Sequence, residues 1–153
     1  MKFSINLRSL IMLTVLSSLS MTIMNCSKDT PSAQIVGSWK IVNIFVKQGM
    51  AADSDQLPAL VNVLPCAKDI IFIFQKSGKV SYNTPEECKS VANNFSGSSE
   101  VSDYEVKDKE LTITGKRVNS FDVTFSGKKM TWTLVDGSGT PIITTTRIIL
   151  EEQ

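Results

Sequence analysis

The chain has 153 residues, of which 42% are hydrophobic and 20% are charged, with 16 basic and 15 acidic side chains. This length supports one globular domain, and the balanced charge excludes the basic bias of a nucleic-acid-binding protein. No run of like charges exceeds two residues, so the sequence also predicts no electrostatic footprint for anionic lipid. The chain contains no histidine. Because histidine is the commonest general base and a usual zinc ligand, we expect neither an enzyme nor a metal or cofactor site.

The N-terminal 25 residues have the features of a secretory signal. Lys2 and Arg8 provide a basic start, and the apolar run 10–24 is short for a membrane span. The run leads into Ile-Met-Asn-Cys at 23–26, which resembles a bacterial lipobox. That resemblance implies that Cys26 is acylated, becomes the mature N-terminus and anchors the protein in a lipid bilayer. An unacylated secretory signal and an uncleaved anchor helix are the alternatives.

Three regions follow from this interpretation. Residues 1–25 are a lipoprotein signal peptide, 26–34 are the acylated cysteine and a polar tether, and 35–153 form one β-barrel domain. The serine after Cys26 resembles the pattern of lipoproteins sorted to an outer membrane. We therefore expect a monomer in the bacterial cell envelope, on the periplasmic or the surface face of that membrane.

Two cysteines remain if Cys26 is acylated. In an oxidising compartment the pair Cys66 and Cys88 predicts a disulfide that closes a loop of about 22 residues. The alternative is a redox or metal pair, but the chain has no Cys-x-x-Cys motif and no histidine to support one.

Eight short hydrophobic segments are predicted as strands, because turn residues separate them and several alternate between apolar and polar residues. Phe121, Val123 and Phe125, for example, alternate with polar residues. The segments are 36–46, 69–75, 79–82, 101–106, 110–114, 121–126, 130–135 and 142–150.

The connections between these segments predict how the strands pair. Those at 76–78, 107–109 and 127–128 are short enough for hairpins between neighbours in sequence. Eight neighbouring strands form a meander that can close and so remove its exposed edges. We therefore predict an all-β fold, an eight-stranded antiparallel up-and-down barrel, with a β-sandwich as the alternative.

Two long connections interrupt this pattern. In the first, Leu57, Leu60, Val61 and Leu64 form a helical stripe, which predicts a short helix. That helix either plugs one barrel end as core or acts as a lid over a ligand. The second connection, 83–100, is rich in serine and asparagine. We expect it to be mobile unless Cys88 ties it to Cys66.

The start of the first strand resembles a known family. Gly37-Ser38-Trp39 resembles the Gly-x-Trp that opens lipocalins, in which the tryptophan closes one barrel end under a basic residue of the last strand. Arg147 lies in the last strand and is the expected cover for Trp39. An ordered set of residues resembles the small lipocalin-like lipoproteins of bacteria. These residues are Gly37, Trp39, Cys66, Asp69, Phe72, Phe74, Gly78, Tyr82 and Cys88.

An eight-stranded barrel is just wide enough to be filled by its own side chains or to hold one small ligand. Alternation directs a set of aromatic residues inward. They are Phe45, Phe72, Phe74, Tyr82, Phe121, Phe125 and Trp132. The first functional hypothesis is that they bind a small hydrophobic or amphipathic ligand. The alternative is a packed barrel that binds an envelope or host protein, partly through the 83–100 loop.

Overall fold

The computed structural model describes residues 30–97, 99–137 and 142–153. The predicted signal peptide and Cys26 lie outside the described residues. Within those ranges, no helix has both the length and the apolar character needed to cross a bilayer.

Strands dominate the described part of the chain. The strands are β1 (Gly37–Gln48), β2 (Ser54–Asp55), β3 (Ile71–Phe74), β4 (Lys79–Asn83), β5 (Val101–Lys107), β6 (Glu110–Thr114), β7 (Val118–Ser126), β8 (Lys129–Asp136) and β9 (Thr144–Glu152). The helices are α1 (Pro31–Gln34), α2 (Leu57–Val63) and α3 (Lys89–Phe95), with 3-10 turns at Pro65–Asp69 and Glu86–Cys88.

The strands confirm the predicted barrel. Each strand from β3 to β9 pairs antiparallel with its sequence neighbour, β1 pairs with β3, and β9 returns to pair along β1. Eight strands thus form a closed ring without a free edge, which excludes the β-sandwich. The two-residue β2 pairs with β1 beyond the end of β3. The three predicted hairpins form the β3–β4, β5–β6 and β7–β8 turns.

Strand alternation fills the barrel interior. In β7, Phe121 and Val123 are buried while Asp122 and Thr124 are exposed, as expected for a strand with one face toward a core. The largest fully buried side chains come from β3, β8 and neighbouring strands. They include Phe72, Phe74, Val80, Leu111, Ile113, Val123, Met130, Trp132, Ile148 and Leu150.

One irregularity in β1 reverses its alternation. The β1–β9 register shifts between Ile41 and Asn43, which indicates a β-bulge. Trp39 and Ile41 point inward before the bulge, and Ile44 is the buried residue after it. The next residue, Phe45, is therefore on the outer face. Its prediction as an inward residue is wrong, because a one-residue insertion moves every later side chain to the opposite face.

The end of the barrel at which β1 begins is called the closed end here. It is covered by α1, which contacts β5 and β7. Residues 31–34 were predicted to be an unstructured tether, and this prediction is wrong. Pro31 occupies the first turn, where its missing N–H costs nothing, and fully buried Ile35 follows the helix.

The opposite end, at which β1 ends, is called the cap end. It is covered by α2, the two 3-10 turns and α3. The predicted disulfide is confirmed, because the sulfur atoms of Cys66 and Cys88 are 2.02 Å apart. The 83–100 connection, predicted to be a loop, contains α3 instead. Val91 and Phe95 of α3 pack against the core, which supplies the apolar contacts that a serine- and asparagine-rich loop was expected to lack.

Candidate functional site

An aromatic cluster occupies the barrel interior at Trp132. The Trp132 ring centroid lies 5.2 Å from those of Phe72 and Phe121 and 5.9 Å from that of Phe74. Trp132 is 0% exposed, and the rings meet in stacked, tilted and edge-on arrangements typical of close aromatic packing. Trp132 therefore contacts three other predicted ligand residues in the barrel interior, in the space that a ligand would need.

The seven predicted ligand residues do not share one environment. Phe72, Phe74, Phe121 and Trp132 are buried, whereas Tyr82 and Phe125 are half-buried and pack against the core. The structure brings the first four together and places Phe125 near the closed end, 6.1 Å from the ring of Trp39. Phe45 lies outside the barrel.

Trp39 closes its end of the barrel, but Arg147 does not cover it. The β1–β9 register places Arg147 opposite Phe45, and Trp39 opposite Glu152. The Arg147 guanidinium lies 5.7 Å from the Phe45 ring and pairs with Asp53. The prediction for Arg147 is therefore wrong, because antiparallel pairing carries it to the far end of β1.

The closure of Trp39 depends on local contacts instead. The Trp39 indole N–H donates to the carbonyl of Ile35 at 2.7 Å. Gly37 has a φ of +150°, which L side chains rarely adopt, and a Cβ there would lie 3.7 Å from Trp39 Nε1. Trp39 thus lies at this end, and the backbone conformation at position 37, rather than a close approach, favours glycine there. The sequence did not indicate that Ile35 would hold the indole.

The predicted lid residues lie in α2 and the residue that follows it. Leu57 is buried, and Leu60, Val61 and Leu64 are half-buried against the core. This arrangement matches the interpretation of α2 as part of the core. On the other side of the cap end, Phe95 of α3 meets Phe72 edge-on, with centroids 6.5 Å apart.

Tyr82 links the barrel wall to α3. Its hydroxyl donates to Asn93 Oδ1 at 2.8 Å. Burial, with a further contribution from the negative charge of Glu100, raises the pKa of Tyr82. The phenol therefore stays protonated and able to donate this hydrogen bond at neutral pH.

Asp55 holds the start of α2 against β1. Its carboxylate accepts from Asn43 Nδ2 at 2.9 Å, from the Leu57 N–H at 3.1 Å and from the Ile44 N–H at 3.4 Å. Desolvation alone would raise the pKa of Asp55, but these three hydrogen bonds together lower it below its ordinary value.

The lowered pKa of Asp55 predicts that the attachment of α2 to β1 weakens in acid. The carboxylate contributes stability that is fully present above its unfolded pKa of about 3.9 and is lost as pH falls through the lower folded value. The urea midpoint, measured from neutral pH to pH 3, should therefore fall less steeply below pH ~4 in Asp55→Asn than in the wild type. Asp122→Asn, at an exposed residue of β7, is the control and should follow the wild type. If the urea midpoints of Asp55→Asn and the wild type fell equally steeply below pH ~4, the prediction would be contradicted.

A contact between two glycines joins the α3–β5 connection to the β6–β7 turn. A Cβ on Gly115 would lie 2.5 Å from the Gly97 carbonyl oxygen and 2.6 Å from Ser102 Oγ. Ser96 and Ser102 are buried, and the Ser102 hydroxyl donates to the Ser96 carbonyl. The Arg117 N–H also donates to the Gly97 carbonyl, at 2.9 Å. The sequence did not reveal this contact, because its residues come from two connections that only the fold brings together.

Replacing Gly115 with alanine is expected to lower the free energy of unfolding by about 1–3 kcal/mol, because backbone atoms must move to admit the methyl group. Gly137→Ala is the matched control, since among the described residues its Cβ would meet only Ile143 Cγ1, at an ordinary 3.5 Å. The control should change stability by less than about 0.5 kcal/mol in urea denaturation. Equal effects of the two substitutions would show that the glycine contact is not tight.

Several apolar side chains are exposed at the cap end. We call Met50, Leu134, Val135, Ile142 and Ile143 the apolar rim. Met50 is fully exposed and the other four are 43–58% exposed. The Gly49 N–H donates to the Ile143 carbonyl at 2.8 Å, which brings the β1–β2 turn next to the start of β9. Met50 and Ile143 therefore lie close together, and all five rim residues lie at the cap end.

A groove lies at the closed end, beside α1. Its volume is about 640 Å³, and it is lined by residues of α1, the β3–β4 turn and the end of β5. None of the predicted ligand residues lines it. The described residues also hold no cluster of acidic or cysteine side chains that could bind a metal ion.

These features define a small closed antiparallel barrel with an aromatic interior and with both ends covered. No protein-family model matches the chain, and no characterised protein matches it significantly. Membership of the lipocalin-like lipoproteins therefore remains a prediction.

Proposed function

We propose that the protein is a lipid-anchored lipocalin-like lipoprotein of the bacterial envelope that binds another protein with the outside of a packed barrel. The observation that carries this proposal is the filled interior. Phe72, Phe74 and Phe121 surround fully buried Trp132 and use the space that a carrier would keep for its ligand.

The apolar rim is the surface that best suits a protein partner. Large contiguous apolar patches are uncommon on monomeric proteins and usually mark interaction sites. The described chain begins with α1 at the closed end, whereas the rim is at the cap end. An anchor at Cys26 would therefore leave the rim facing water, where a protein rather than the bilayer can cover it.

The test uses the acylated protein and two rim variants, Met50→Gln and Ile143→Ser. Quantitative cross-linking in the envelope should identify a partner whose recovery falls at least about tenfold in the rim variants, equivalent to a loss of about 1.4 kcal/mol in binding. Val101→Ser, at an exposed apolar residue of β5 outside the rim, is the matched control and should retain the partner. The purified partner should then bind the wild type directly. Equal recovery with all variants would overturn the assignment of the rim.

Small-ligand binding remains a second candidate because of one observation. The Trp132 indole N–H is buried and has no hydrogen-bond partner among the described residues, and such a group normally has one. A small polar acceptor admitted by displacement of α2 would satisfy it.

Native mass spectrometry and fluorescent fatty-acid titration separate the two candidates. A protein-binding module should show the mass of the acylated chain alone and no saturable fatty-acid uptake. The carrier function would be established instead by a bound molecule seen as extra mass at one per chain, or by fatty-acid binding that Trp132→Phe weakens.

A further inference from the structure

We infer that the closed end of the barrel rests against phospholipid headgroups, with the β3–β4, β5–β6 and β7–β8 turns as the contact surface. This inference rests on the proposed acylation of Cys26. It adds to that proposal the orientation of the domain and the residues that face the bilayer.

The length of the tether limits the orientation. Thr30 is already part of the fold, because its carbonyl accepts from the N–H groups of Ala33 and Gln34 at 2.9 and 3.0 Å. Only residues 27–29 then separate the described domain from Cys26, and the span from Cys26 to Thr30 is at most about 14 Å. An acylated Cys26 therefore places the closed end at the membrane surface.

The cap end cannot be the end on which the domain stands. The 12 residues of β1 extend about 40 Å along the strand, and a typical barrel tilt reduces this to about 30 Å along the axis. This distance is about twice the reach of the tether. The domain therefore cannot invert to rest on its cap end, because Thr30 would then lie about 30 Å from the bilayer and the tether spans at most about 14 Å.

The chemistry of the closed end suits headgroups. Each of the three turns carries one exposed lysine, Lys76, Lys109 or Lys128, and none of these forms an ion pair with another described residue. Ammonium groups at this level bind lipid phosphates. Glu105, Asp108 and Glu152 lie at the same end, so three carboxylates match the three turn lysines and the tether is the main determinant of orientation.

Two further exposed lysines near this end lie opposite glutamates. Lys107 is the cross-strand partner of Glu110, and Lys129 is the partner of Glu151. The lysines of the three turns have no cross-strand partner. They are far apart in sequence, so counting runs of like charge did not reveal this group.

The groove beside α1 opens at this end and has the composition of a membrane interface. Val36 and Val106 contribute apolar walls, and Lys76 and Ser32 also line it. Apolar surface next to a lysine matches the boundary between acyl chains and headgroups.

The test uses the protein purified from membranes, with acylation verified by intact mass. It is reconstituted into vesicles of phosphatidylethanolamine and phosphatidylglycerol, and lysines are labelled with a water-soluble acetylating reagent. Relative to protein in detergent, Lys76, Lys109 and Lys128 should lose reactivity several-fold. The internal controls are exposed lysines in the cap-end half of the domain, and their reactivity should not change. They are Lys47, Lys68 and Lys116.

The possible outcomes are distinguishable. Protection of the three turn lysines alone supports the inference. An acylated protein with equal labelling at all six lysines, or with protection at the cap end, overturns the inference and leaves the anchor intact. A chain without the acyl mass overturns the anchor itself, and the orientation with it.

Discussion

Replacing Trp132 with alanine is expected to lower the free energy of unfolding by about 3–5 kcal/mol, the usual cost of removing a large buried aromatic side chain. Trp132 is fully buried and contacts three aromatic rings from β3 and β7. These rings come from different sides of the barrel, so local collapse cannot easily refill the cavity. Urea denaturation followed by circular dichroism measures the loss.

Trp132→Phe is the matched control for this prediction. Phenylalanine keeps an aromatic ring and removes the indole N–H that has no partner among the described residues. Its cost should be below about 1.5 kcal/mol, as for other hydrophobic replacements of similar shape. A loss of less than about 1 kcal/mol for Trp132→Ala would contradict a filled barrel interior and favour the carrier hypothesis.

Removing the disulfide with Cys66→Ala and Cys88→Ala together is expected to cost about 3 kcal/mol. The bond closes a loop of 22 residues, and its loss restores conformational freedom to the unfolded chain. Cys88 is fully buried beside α3, and Cys66 lies in the 3-10 turn after α2. The disulfide thus joins the two connections that cover the cap end.

Hydrogen exchange locates the effect of this double substitution. Amides of α2 and α3 should lose protection before those of β6–β9, because the barrel strands keep their ladder hydrogen bonds. The wild type treated with reductant is the control and should show the same pattern. Unchanged protection at the cap end, together with an unchanged urea midpoint, would show that apolar contacts alone hold the cap.

The strands were predictable because the alternation of apolar and polar residues within each strand shows which of its faces is buried. Alternation in β7 and β8 identifies the inward face without knowledge of any neighbour, and short turns leave little choice of pairing. The buried cluster of Phe72, Phe74, Phe121 and Trp132 was predicted in this way. The pairing of Cys66 with Cys88 also followed from the sequence, since the predicted acylation of Cys26 would leave only these two.

The errors share a physical cause. Phe45 was misplaced because a bulge in β1 reverses the facing of the residues after it, and Arg147 because the antiparallel register with β9 places it opposite Phe45 rather than Trp39. The short helix α1 lacks an amphipathic repeat, so nothing in 31–34 predicted a covered end. The contact of Gly97 with Gly115 depends on a backbone approach between distant connections.

The sequence by itself determined an antiparallel barrel of eight strands, a disulfide and a set of aromatic residues for its interior. These follow from local periodicity and composition, which act over a few residues. Only the tertiary structure decided whether that interior is filled, where the chain enters the barrel and which surfaces are left exposed. Those properties depend on the register of β1 against β9 and on how α1, α2 and α3 dock, and contacts between residues distant in sequence set both.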